Sequence, residues 1–182
     1  MYLISAYFDE NTNKILKYLQ QKIADKTGND FMIRNNVMPH LTISAIGARN
    51  VDVLIPAFEK VCGEKLQPLE EKGIVNNTIN IVSVGQLFPR VIYAAPVFNE
   101  YMMDLSISIY NEFATIPETN ISKFYQPYSW MPHITLGKCL DKEQMRQAFA
   151  VLQDLFMPID GWIAKIGLST VNPYREVMSV EL

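Results

Sequence analysis

Apolar residues alternate with polar ones in some stretches of this chain and recur every three or four residues in others. The two periods divide it into predicted strands and helices. Tyr2 to Phe8 reads as a strand. Ile15, Leu19 and Ile23 make the stripe of a helix from about Asn13 to Thr27, with Thr12 as N-cap and Gly28 as its stop. A shorter helix near Val53 to Cys62 requires Pro56 in its first turn, where the missing N–H costs nothing. Leu66 to Asn77 shows neither period. Ile79 to Phe88 and Arg90 to Phe98 read as strands parted by Pro89, and Met102, Leu105, Ile109 and Phe113 predict a helix near Glu100 to Ala114. Thr115 to Ser129, with Pro117 and Pro127, reads as a loop. Asp141 and Gln144 stand at N-cap and N3 spacing ahead of Met145, Ala148, Phe149 and Leu152, the signature of a capping box. Ile163 to Val171 and Glu176 to Leu182, around a turn at Asn172-Pro173-Tyr174-Arg175, predict a terminal hairpin.

Strands and helices thus alternate in both halves. No linker or low-complexity segment divides them, so residues 1–182 are expected to form a single monomeric α+β domain of two similar lobes around one groove. With 49% hydrophobic and 19% charged residues, the chain can bury a core without staples.

The chain has only two histidines, one in each half, and both sit in near-copies of one heptapeptide. The first is Met38-Pro39-His40-Leu41-Thr42-Ile43-Ser44 and the second Met131-Pro132-His133-Ile134-Thr135-Leu136-Gly137. On a strand, alternation puts His40, Thr42 and Ser44 on one face and Leu41 and Ile43 on the other; His133 and Thr135 oppose Ile134 and Leu136 in the same way. One face carries chemistry and the other core. Each proline fixes its own φ and donates no hydrogen bond, which suits the first residue of a strand, so both motifs are expected at a sheet rim. Histidine titrates near neutrality, and a duplicated pair reads as a general acid and a general base.

Composition narrows the function classes. A net charge of −3 argues against a broad footprint on long nucleic acid and leaves a small or terminal phosphate as ligand. Cys62 and Cys139 are isolated and read as reduced thiols of a cytoplasmic protein, with a disulfide between them left open. No stretch approaches the length of a membrane span, and Met1 to Glu10 lacks the basic flank and long apolar core of a secretory leader. No His-x-His or His-x-x-x-His spacing offers a metal site, and neither metal nor cofactor is expected.

On these motifs the sequence resembles the two-histidine (2H) phosphoesterase superfamily, particularly its 2′-5′ RNA ligase-like and cyclic phosphodiesterase members, whose mark is a pair of His-x-Thr motifs. The first motif continues as a strand to Gly47, Lys138 stands five positions after His133, and Val84-Gly85-Gln86-Leu87-Phe88 with Arg90-Val91-Ile92-Tyr93 looks like the family's strand pair between the motifs. The resemblance implies two pseudo-symmetric lobes, each an antiparallel sheet with helices on its outer face, around a central groove holding both motifs. It implies metal-independent hydrolysis of 2′,3′-cyclic phosphates on RNA ends or nucleotides, with reversible 2′-5′ ligation as a related activity. It also implies that Thr42 and Thr135 hydrogen-bond non-bridging phosphate oxygens while His40 and His133 act as acid and base, with His40 taken as the acid. Ser44-Ala45, where many members are bulkier, and the acidic charge depart from members that grip extended RNA.

Four further residues are candidates for substrate contact. Lys138 would add a cation and Ser44 a hydroxyl, while Tyr128 and Trp130 would stack a base; lysine is otherwise a surface residue and such aromatics are otherwise core. The rival to an enzyme is a module that binds a phosphorylated nucleotide without turnover.

Overall fold

The computed structural model describes residues 1–63, 77–171 and 174–182, and the account that follows concerns those. Strand β1 is Tyr2–Phe8, followed by helix α1, Glu10–Thr27, and a single helical turn α2, Phe31–Arg34. Then come β2, Leu41–Gly47, and α3, Ile55–Val61. The middle of the chain holds β3, Thr78–Leu87, β4, Val91–Pro96, and α4, Glu100–Phe113. A two-residue β5, Asn120–Ile121, and a 3₁₀ turn, Lys123–Tyr125, precede β6, Ile134–Lys138. Helix α5, Lys142–Leu155, and the strands β7, Ile159–Val171, and β8, Tyr174–Glu181, complete the order.

The architecture is α+β with an antiparallel sheet. The strands form one connected set, in the order β1-β2-β6-β4-β3-β7-β8, with β5 beside β2 and β7 also paired to β1. Strand β7 makes this possible because it is long. Ile159–Trp162 pair with β3, whereas Ile163–Thr170 pair with β1 and Lys165–Val171 with β8. The pairings therefore run in a closed circuit whose narrowest link is β2 to β6, joined at the one pair Leu41↔Ile134. Helix α1 packs on α5 and β6, while α4 packs on α3 and β2.

Most predicted elements stand, and the differences have local causes. Helix α1 begins three residues early because Asp9, rather than Thr12, is its N-cap. The Asp9 carboxylate accepts from the Thr12 N–H at 3.0 Å, the Thr12 hydroxyl at 2.6 Å and the Trp162 N–H at 3.1 Å. Burial pushes that carboxyl up, yet the hydrogen bonds outweigh it and hold it below its ordinary value. Helix α3 is shorter than predicted, with Pro56 in the first turn as required. The predicted loop over 115–129 contains β5 because β2 parts from β6 after one pair. That exposes the backbone of Ile46 and Gly47, and Ile121 and Asn120 pair with them. Strand β7 starts at Ile159 rather than Ile163, since pairing with β3 extends it through Asp160 and Gly161, which break the alternation. The capping box at Asp141 and Gln144 is present. The patternless stretch 66–76 and the turn residues 172–173 lie outside the described residues.

Candidate functional site

Both histidines stand one residue ahead of their strands, at the rim that the prolines predict. In both motifs the methionine is exposed, the proline buried and the histidine half-buried. The X-Pro-His geometry folds the carbonyl of the residue two before each histidine back onto its ring. His40 Nδ1 lies 2.7 Å from the Met38 oxygen, and His133 Nδ1 lies 2.9 Å from the Met131 oxygen. A carbonyl only accepts, so Nδ1 carries the proton in each ring. The Nε2 lone pair of the neutral form is left for other work.

The Leu41↔Ile134 pair sets the rest of the geometry. Both side chains are fully buried in the core. By alternation their neighbours turn to the opposite face, and continuing the antiparallel register by one residue sets His40 across from Thr135 and Thr42 across from His133. The four motif residues therefore form the corners of one small patch. All four line a single cavity of about 460 Å³ together with Lys138, a size suited to a nucleotide-scale ligand.

Side chains elsewhere support the backbone of each motif. The Thr42 carbonyl accepts from the Trp130 indole at 3.0 Å, and the Thr135 carbonyl accepts from the Gln20 side chain at 3.1 Å. Each His ring also meets a tyrosine from the neighbouring strand. Tyr7 lies 6.1 Å from His40, tilted by 44°, and Tyr93 lies 5.8 Å from His133, edge-on at 67°.

The surroundings of His40 shift its titration. Burial holds the His40 imidazole below its ordinary value; the Met38 bond pulls the other way, and the nearby His133 and Lys138 add repulsion against a proton. His40 is neutral at pH 7.

Of the eight residues singled out in the sequence, five meet in the cavity and three do not line it. Ser44 is buried, with no hydrogen-bond partner for its hydroxyl in the structure. Trp130 is 7% exposed, bonded to the Thr42 carbonyl and edge-on to Phe98 at 5.7 Å. Tyr128 is 84% exposed and has φ 66°. Sequence reasoning missed the cavity's aromatic wall, made by Phe31, Phe88, Phe124 and Tyr125. Phe88 is the most informative of these. It sits at the β3–β4 turn with φ 51°, a left-handed conformation costly for a bulky residue, and 67% of it is exposed. An aromatic beside Pro89 at a predicted turn was the available signal. Phe31 lies under the Lys138 ammonium at 5.8 Å.

Among the described residues no group of three or more His, Cys, Asp or Glu side chains could hold a metal ion, and no helix is long and apolar enough to cross a membrane. No protein-family model matches the chain, and no curated protein matches it. Solved structures do match. Usb1 from Kluyveromyces marxianus aligns over 100% of this chain and 97% of its own, at 8% identity and a TM-score of 0.44. The same protein with uridine monophosphate aligns over the same shares at 10% identity and a TM-score of 0.44.

Proposed function

We propose that this protein is a metal-independent phosphodiesterase that opens 2′,3′-cyclic phosphates on nucleotides or RNA ends, its two motif strands acting as pseudo-symmetric halves of one site. The observation that carries the reading is the pair of rings with Nδ1 tied to an i−2 carbonyl, both lining the same cavity as Thr42, Thr135 and Lys138.

The chemistry follows from those groups. One neutral imidazole takes a proton from water through Nε2, and the water oxygen bonds to phosphorus. The bond from phosphorus to one ribose oxygen breaks, and the other histidine, as imidazolium, gives that oxygen its proton. The product is a phosphomonoester with one free hydroxyl. Thr42 and Thr135 donate to the non-bridging oxygens, and Lys138 offsets the charge that builds there. The burial of His40 favours it as the base and His133 as the acid, the reverse of the sequence expectation. With a ribose 5′-hydroxyl in place of water as the nucleophile, the same steps join it to a cyclic end as a 2′-5′ linkage while the 3′ oxygen leaves with the proton from the acid. The aromatic wall supplies stacking surface for a base, and one lysine suits a ligand of low charge.

The test is turnover of nucleoside 2′,3′-cyclic monophosphates and a short cyclic-ended RNA by EDTA-treated protein, with the product isomers resolved. Wild-type turnover that disappears in both His40→Ala and His133→Ala supports the reading. A folded wild type that binds these ligands without turning them over would replace it with a binding role.

A further inference from the structure

The ring of Tyr7 is held from several sides. Its hydroxyl is 2.7 Å from that of Tyr174 on the terminal strand β8, either of which can donate. The Lys165 ammonium sits 4.9 Å over its face, and Lys165 is held by Glu176 at 2.9 Å, which also accepts from Ser179 at 3.0 Å. Beneath the ring is Gly167, where an added Cβ would come within 3.0 Å of the tyrosine ring. A side chain at this position would crowd the Tyr7 ring, which lies along β7 and reaches Tyr174.

The same frame recurs at the second histidine with one part missing. Tyr93 lies over Gly85, where a Cβ would meet its hydroxyl at 2.5 Å. Its hydroxyl, however, makes no hydrogen bond among the described residues. Ring, glycine and histidine are common to both sides. Among the described residues, the hydroxyl tie to another strand belongs to the His40 side alone.

Tyr174 is not among the residues that line the cavity. It is exposed, it pairs only with Val171, and neither it nor Tyr7 lines the site. Its hydroxyl nonetheless closes a path from the edge of the sheet to His40, whose ring is held by the Met38 carbonyl and meets the tilted ring of Tyr7. We propose that Tyr174 is a positioning residue: its bond to Tyr7 fixes the ring against which His40 packs, so that the terminal hairpin sets the direction of His40 Nε2. This rests on the reading of His40 as a reacting group. A loose imidazole spends less of its time aligned with the attacked phosphate, and misalignment lowers the rate of the chemical step before it lowers binding.

The chain's two histidines make the test direct. In Tyr174→Phe, kcat on a nucleoside 2′,3′-cyclic monophosphate is expected to fall about three- to tenfold, as loss of one hydrogen bond allows, with KM little changed. The nitrogen resonances of His40 are expected to change in chemical shift and titration midpoint, while those of His133 stay in place. Lys138 and His133 face His40 from the cavity, and Lys165 and Glu176 lie behind Tyr7; none of them is altered by the substitution. Tyr7→Phe removes the same bond from the other end together with the hydroxyl's interaction with Ser5, so the double variant should be no slower than Tyr7→Phe alone. Unchanged kcat and His40 resonances in a folded Tyr174→Phe protein would overturn the proposal, and so would losses that add in the double variant. If wild type has no turnover but His40 still responds to Tyr174→Phe, the positioning relationship stands and the phosphodiesterase reading falls.

Discussion

Leu41 and Ile134 are the one residue pair through which β2 and β6 are joined, and both are fully buried. His40, Thr42, His133 and Thr135 are the chain neighbours of this pair, so the core contact and the register of these four are the same structural fact. Leu41→Ala or Ile134→Ala should each cost about 2–5 kcal/mol of stability, the usual range for a core truncation. Denaturant unfolding measures that loss. Activity per folded molecule should fall as well, and a variant that loses stability with its turnover intact would show that the site does not depend on this link.

Trp130 is read as a support of the Thr42 carbonyl. Trp130→Phe keeps an aromatic ring but leaves a buried carbonyl without its donor, an expected loss of about 1–3 kcal/mol. Nucleotide affinity should hardly change. A large rise in KM with stability unaltered would instead return Trp130 to a base-stacking role.

Phe88 occupies a left-handed conformation at the mouth of the cavity. Phe88→Gly removes the steric cost, which is about 1–2 kcal/mol for a residue with a Cβ, partly offset by the greater freedom of glycine when unfolded. It also removes stacking surface. The expected result is a protein of equal or greater stability with a raised KM for nucleotides, read by thermal unfolding and steady-state kinetics together.

His40 gives stability a pH dependence of known sign. Its folded value lies below the ordinary histidine value of about 6.5, so the unfolded chain takes up the proton first. The contribution is complete above about pH 6.5 and is lost as pH falls toward the folded value. Asp9, Glu10 and Glu176 are also held low, but their ordinary values near about 4 place their effect in a more acidic window. Melting temperature should therefore decline as pH falls below about 6.5, and His40→Asn should flatten that decline. An unchanged slope in the variant would assign it to other groups.

The same shift bears on activity. If His40 is the base, the acidic limb of kcat/KM lies below the ordinary histidine value, and turnover persists into mildly acidic buffer. A limb at or above about 6.5 would remove His40 from the base role.

The sequence by itself determined the elements and the chemistry of the motif face. Alternation in Leu41 to Gly47 and Ile134 to Lys138, the prolines ahead of each histidine, and the capping box at Asp141 are local signals, and short-range geometry suffices to realise them. Other features needed the tertiary structure because they join residues far apart in the chain. Asp9 displaced Thr12 as cap once the Trp162 N–H arrived from β7. Strand β5 formed because β2 and β6 part after one pair, and Trp130 became a prop because the Thr42 carbonyl lay within its reach. Phe31, Phe88 and Phe124 read as unremarkable apolar residues until three separate segments converged on one cavity. The two histidines differ for the same reason: their heptapeptides are nearly alike, but only packing decides that Tyr7 is tied to Tyr174 while the Tyr93 hydroxyl makes no such bond among the described residues.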